Sequence, residues 1–147
     1  MKLKERLAHE RLILDGGFGS MLTAAGLPTG TPTEQWNIQN PGAVEAVSFA
    51  YFQAGSQIVC ANTFGANPLK YDACTLENIV RSALCSAQNA RRRAGFDAQT
   101  HYVALDVGPL GRLLSPFGDL AFEDAVNAFS AVVRLGAVSY THLRAHE

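Results

Sequence analysis

The chain has 147 residues, 48% hydrophobic and 17% charged, with 12 basic and 13 acidic side chains and a formal charge of -1. That composition belongs to a globular domain with one core, and the even charge excludes the basic footprint of a nucleic-acid surface or a polybasic membrane face. The longest apolar runs fall far short of the roughly 20 residues that cross a bilayer, and Glu5, His9, Glu10 and Arg11 interrupt any secretory signal, so a cytoplasmic location and a small-molecule partner are expected.

The first predicted strand is Leu12-Ile13-Leu14, ending at Asp15-Gly16-Gly17. The glycines that follow do not form a dinucleotide fingerprint. With G-x-G-x-x-G placed on Gly17 and Gly19, Leu22 stands where the third glycine belongs, and the close approach of helix to strand is not encoded. A carboxylate at a strand end beside approachable backbone N–H groups suits a zwitterion, with the aspartate taking an ammonium and the amides a carboxylate. An amino acid is the ligand that fits.

Asn40-Pro41 then predicts a helix start, and Val44, Val47, Tyr51 and Ala54 form its apolar face up to a stop at Gly55. The second strand spans Gln57 to Ala61 and ends at Asn62-Thr63-Phe64-Gly65. Thr75 is the expected cap of the next helix, with Ile79, Val80, Ala83 and Ala87 as its stripe and Arg91 to Arg93 as a solvated end before Gly95. The third strand, His101 to Leu105, ends at Asp106-Val107-Gly108-Pro109. A third helix carries Glu123 and Asp124 in its first turn and Phe122, Val126, Phe129 and Val133 along one side, with Gly136 as its expected end.

Strand, polar turn and helix repeated three times predict an α/β chain with a parallel sheet. Parallel architectures gather function at strand C-terminal ends, which puts Asp15, Asn62, Thr63 and Asp106 on one rim. Three cysteines, Cys60, Cys74 and Cys85, stand at wide spacing with no C-x-x-C pair. They make neither a disulfide framework nor a zinc site by spacing, and each is expected to be a small buried or half-buried residue. Three βα units also leave sheet edges unpaired, and a closed (β/α)8 barrel takes about 250 residues, so the chain reads as the front of a larger domain.

The stretches LDGGFGSML, TPTEQWNIQNPGAV, AGSQIVCANTFGANPLKY and ALDVGPLGRLLSPFGDLAFEDAV, in that order and spacing, resemble the homocysteine-binding domain of the homocysteine S-methyltransferase family. The resemblance is nearest to the N-terminal module of cobalamin-dependent methionine synthases. It implies a (β/α)8 TIM barrel, truncated here after its first three βα units, and a reaction in which zinc-activated homocysteine thiolate attacks a methyl donor to give methionine. Zinc lowers the thiol pKa and supplies the nucleophile near neutral pH. Zinc is thus the expected cofactor of a full-length family domain, with cobalamin and methyltetrahydrofolate in a larger parent.

By the same resemblance Asp15 holds the homocysteine ammonium, and Gly16, Gly17 and Phe18 lie along the amino acid. Asn62, Thr63 and Phe64 line the pocket, and Asp106, Gly108 and Pro109 form the third turn. The family's zinc cysteines belong to an asparagine-cysteine turn and a glycine-glycine-cysteine-cysteine segment, neither of which occurs here. No residue of this chain is therefore assigned to metal or to catalysis. The segment VSYTHLRAHE breaks the pattern expected of a fourth strand, giving a partial homocysteine-binding domain over 1–136 and a non-native tail over 137–147. His142 and His146, four apart, have helical metal-ligand spacing, but in such a tail they are not expected to hold a metal. Little or no activity is expected of the chain by itself, and a non-catalytic amino-acid-binding module, or an inert fragment lacking the zinc site, is the alternative.

Overall fold

Two short strands pair in parallel, and a helix carries the chain from the end of one to the start of the next. The computed structural model describes residues 3–144, with side chains to residue 139; the His142 and His146 pair lies outside those described side chains. In chain order the elements are α1 (Leu3–Leu7), α2 (Phe18–Ala24), a 3-10 turn (Thr33–Gln35), α3 (Trp36–Gln39), α4 (Pro41–Gln53), β1 (Ile58–Cys60), α5 (Ala73–Arg93), β2 (Tyr102–Ala104) and α6 (Phe122–Arg144). The strands pair in register, Ile58 with Tyr102, Val59 with Val103 and Cys60 with Ala104.

The expected first strand is corrected. Leu12 to Leu14 contributes a single parallel bridge, Leu14 to Ile58, with the Asp15 N–H donating to the Ile58 carbonyl at 3.0 Å. Ile13 and Leu14 are 60% and 56% exposed, so nothing packs over this edge to extend the pairing. The described residues thus hold a two-stranded sheet with a bridged third member.

The helix signals hold with local exceptions. Asn40 caps α4 by accepting from the Ala43 N–H at 3.4 Å, Pro41 takes the first helical position, and Gly55 turns the chain away at φ +104°. Asp72, not Thr75, caps α5: its carboxylate accepts from the Thr75 N–H at 3.0 Å and from the Thr75 hydroxyl at 2.6 Å. Thr75 is the capped residue because Asp72 starts the helix three positions earlier. The arginine run at the end of α5 is also not uniformly solvated. Arg91 is buried and donates to the His101 carbonyl at 3.5 Å, while Arg93 reaches Glu45 at 3.3 Å and lies over the Phe49 ring.

Gly136 does not end the last helix, which continues to Arg144. A Cβ at Gly136 would stand 2.7 Å from Leu105 Cδ2, so the glycine lets α6 approach the turn after β2. This helix has two apolar faces. Ala125, Ala128 and Val132 are buried, whereas the stripe Phe122, Val126, Phe129 and Val133 is exposed.

The main core joins α5 and α6 to the sheet through Ile79, Val80, Ala83, Leu84 and Val132, with Val103 and Leu105 packed against them. A second cluster of Leu22, Leu27, Trp36, Val44 and Val47 ties α2 and α3 to α4. Phe52, Val59 and Ala90 connect α4, β1 and α5. Among the described residues no helix is long and apolar enough to cross a membrane.

Phe52 is 1% exposed, and Phe52→Ala should cost about 3 to 5 kcal/mol in urea unfolding through the cavity it leaves. Asp72→Ala should cost about 1 kcal/mol, the loss of one helix cap. A cost for Asp72→Ala below that of a Thr75→Ala variant would contradict the observed cap.

Candidate functional site

Parallel pairing brings the ends of the Leu14 segment, β1 and β2 to one edge of the sheet, and the polar residues that follow them form a rim. Asp15 is held there by β1: its Oδ2 accepts from the Cys60 backbone N–H at 2.8 Å. The two later turns are tied to each other through Thr63, whose hydroxyl donates to the Asp106 carbonyl at 2.7 Å and accepts from the Asp106 N–H at 3.1 Å. Gly108 permits their close approach, because a Cβ there would overlap the Phe64 carbonyl oxygen.

The glycine loop after Asp15 is fixed from α4. The Tyr51 hydroxyl donates to the Gly17 carbonyl at 2.9 Å, and a Cβ at Gly16 would lie 3.2 Å from that hydroxyl oxygen. Phe18 begins α2. Sequence periodicity marks Tyr51 only as a core position of its helix. Its hydroxyl role depends on a loop 34 residues earlier, which no local pattern encodes.

Electrostatically the rim is acidic. Burial pushes the Asp15 carboxyl above its ordinary range, against the opposing pull of the Cys60 hydrogen bonds. Burial also raises Asp106, and the Asp15 charge raises it further. Among the described residues no lysine or arginine forms an ion pair with either carboxylate. Two half-buried carboxylates on one rim, one of them raised by the charge of the other, favour a cationic guest.

The remaining expected positions divide in two. Phe64 is 58% exposed beside the rim, where it offers an apolar surface. Asn62 is buried and its amide is occupied elsewhere: it donates to the Thr33 carbonyl and to Asn37 Oδ1, both at 2.8 Å. Asn37 returns a hydrogen bond to the Asn62 carbonyl at 2.7 Å. Asn62 thus secures the base of its turn to the 3-10 turn and α3. Two clefts of about 390 and 380 Å³ lie away from the rim, one lined by Asn37, Glu45, Cys85 and Asn89, the other by Leu69, Arg112, Leu120 and Asp124.

The cysteines are not gathered. Cys60 is half-buried in β1, but Cys74 and Cys85 are exposed on α5, which corrects the expectation that all three are at least half-buried. The Cys60 thiol is pushed up to about 12 by burial, then by Asp15 and Asp106. A cysteine binds zinc as the thiolate, and a zinc site takes about four convergent protein ligands when structural or three when catalytic. Among the described residues no three His, Cys, Asp or Glu side chains are grouped to hold a metal. These residues therefore do not fit the zinc ion that the resemblance implies.

A family model described as homocysteine S-methyltransferase matches residues 12–144. Solved structures of the homocysteine methyltransferase MmuM from Escherichia coli are also similar. The metallated form matches with a TM-score of 0.78 at 21% identity over 93% of this chain and 54% of that one. The oxidised form gives 0.77 at 20% identity, over 93% and 53%. The apo form gives 0.68 at 20% identity, over 93% and 48%. The chain spans about half the length of these proteins and shares the fold of that half.

The rim electrostatics predict the order of thiol labelling. At pH 8 a thiol reagent should modify Cys74 and Cys85 quickly and Cys60 only slowly, since the thiolate is the reactive form. Asp15→Asn removes a charge that raises the Cys60 pKa, so it should speed labelling of Cys60 without changing the other two. Mass spectrometry of labelled peptides gives the three rates, and a Cys60 rate equal to that of Cys74 would contradict this electrostatic picture.

Proposed function

This chain belongs to the homocysteine S-methyltransferase family, and from that premise we propose that its rim binds homocysteine by the amino-acid end. The observation that carries the proposal is the pair of half-buried carboxylates, Asp15 and Asp106, with no cationic partner among the described residues. An α-ammonium placed at Asp15 replaces the missing countercharge. It forms charge-assisted hydrogen bonds, which are the stronger kind.

The other groups then have distinct tasks. The Gly16-Gly17 backbone, fixed by Tyr51, lies along the amino acid and offers N–H groups to its carboxylate. Thr63 keeps Asp106 in place through its two hydrogen bonds to that residue's backbone, and Phe64 covers the side-chain methylenes. In a protein of the length of its structural relatives, we propose a (β/α)8 barrel in which homocysteine so held accepts a methyl group on sulfur to give methionine. The described residues contribute recognition and orientation to that reaction. No thiolate activation is assigned to them, since their cysteines do not fit a zinc site.

Calorimetry of L-homocysteine binding to the chain, beside its des-amino analogue 4-mercaptobutyrate, tests recognition of the ammonium. Homocysteine should bind at least about tenfold tighter, a difference worth about 1.4 kcal/mol, and Asp15→Asn should abolish that preference. Affinity should fall as the pH is lowered through the raised carboxyl range of Asp15 and Asp106, because protonation removes the charge the ammonium meets. Equal binding of the two ligands, or an unchanged preference in Asp15→Asn, would overturn the proposal.

A further inference from the structure

Glu34 is 3% exposed, and a carboxylate so deeply buried is costly unless it is paired or hydrogen-bonded. The adjacent Thr33 hydroxyl donates to Glu34 Oε2 at 3.4 Å, and two further partners lie on the segment between β1 and α5. The Tyr71 hydroxyl donates to Glu34 Oε1 at 2.9 Å, and Lys70 Nζ stands 3.8 Å from the same oxygen. Nearer the start of that segment, a Cβ on Gly65 would lie 2.5 Å from both carboxylate oxygens, so a side chain there would displace the Glu34 carboxylate.

The neighbouring residues grip the same segment at its start. The Thr33 carbonyl accepts from the Asn62 amide at 2.8 Å, so residues 33 and 34 hold the chain at positions 62, 65 and 71. Thr63 lies between the first two of these points, and its hydroxyl is the link to Asp106. We propose that Glu34 is a positioning residue, whose buried carboxylate clamps the 62–71 segment between Gly65 and Tyr71 and so sets Thr63 against Asp106 at the rim. The inference rests on the reading of that rim as the homocysteine-binding edge, and it adds a residue that touches no ligand. A Tyr71 hydroxyl pushed up to about 12 by burial, and next by Glu34, agrees with the contact.

Hydrogen exchange of the full chain, followed by mass spectrometry, tests the clamp without ligand. Glu34→Leu and Tyr71→Phe should each speed exchange across 62–71 about tenfold, while α4 and the middle of α5 keep their protection. Glu34→Gln retains an acceptor for the Tyr71 hydroxyl and should recover most of that protection, and Arg81→Ala, on an exposed ion pair, should change nothing. In Glu34→Leu the absorbance titration assigned to Tyr71, by difference from Tyr71→Phe, should shift down from about 12. Unchanged exchange in Glu34→Leu, or a rise spread evenly through α4 and α5, would overturn the clamp. Homocysteine binding by the same variants separates the two readings. Faster exchange in a chain that binds no homocysteine even when unaltered leaves the clamp standing and removes the rim's ligand. Unchanged exchange with normal binding does the reverse.

Discussion

Parallel pairing is the constraint on which the other features depend. Strands that run the same way must be joined by crossovers long enough to return the chain to its starting end, and here α4 and α5 make those returns. Every strand therefore finishes at the same edge, so residues far apart in sequence become neighbours. Thr63 and Asp106, 43 positions apart, exchange hydrogen bonds because β1 and β2 are in register at Cys60 and Ala104. Asp15 joins them through the one N–H that Cys60 offers it.

That convergence has an electrostatic consequence. Separate polar turns are solvated and their aspartates are ordinary. Brought to one rim and half-buried, Asp15 and Asp106 lose water, Asp106 also feels the charge of Asp15, and both carboxyls are pushed upward. The same field and burial hold the Cys60 thiol protonated. Such a rim suits the capture of a cation and does not suit thiolate chemistry by its own cysteine. The carboxylate of Glu34, by contrast, is enclosed and partnered, and it acts on the rim only through the segment it holds.

The described surface also carries apolar area that its own core does not use. The stripe Phe122, Val126, Phe129 and Val133 on α6 is exposed, as are Ile13 and Leu14 at the bridged edge of the sheet. A helix that is apolar on two faces is the kind that packs between neighbours. Solved proteins of the same fold are about twice as long as the part this chain matches.

The sequence by itself determined the helix starts and stops that depend on special backbone chemistry, such as Asn40-Pro41 and Gly55, and the two strands whose β-branched and aliphatic runs end in polar turns. It also placed Asp15, Thr63 and Asp106 at strand ends that meet, because a parallel α/β rhythm specifies where its strand ends go. Local signals failed where one residue type serves two purposes. Gly136 permits α6 to approach Leu105 yet reads as a terminator, Thr75 reads as a cap although Asp72 caps it, and Leu12 to Leu14 reads as a strand although its pairing stops at one bridge, Leu14 to Ile58. Tertiary structure alone decided that Asn62 points inward to Asn37, that Tyr51 holds Gly17, and that Glu34 lies against Gly65. Each of these is a contact between distant segments, set by how the helices pack on the sheet, and no periodicity within either segment records it.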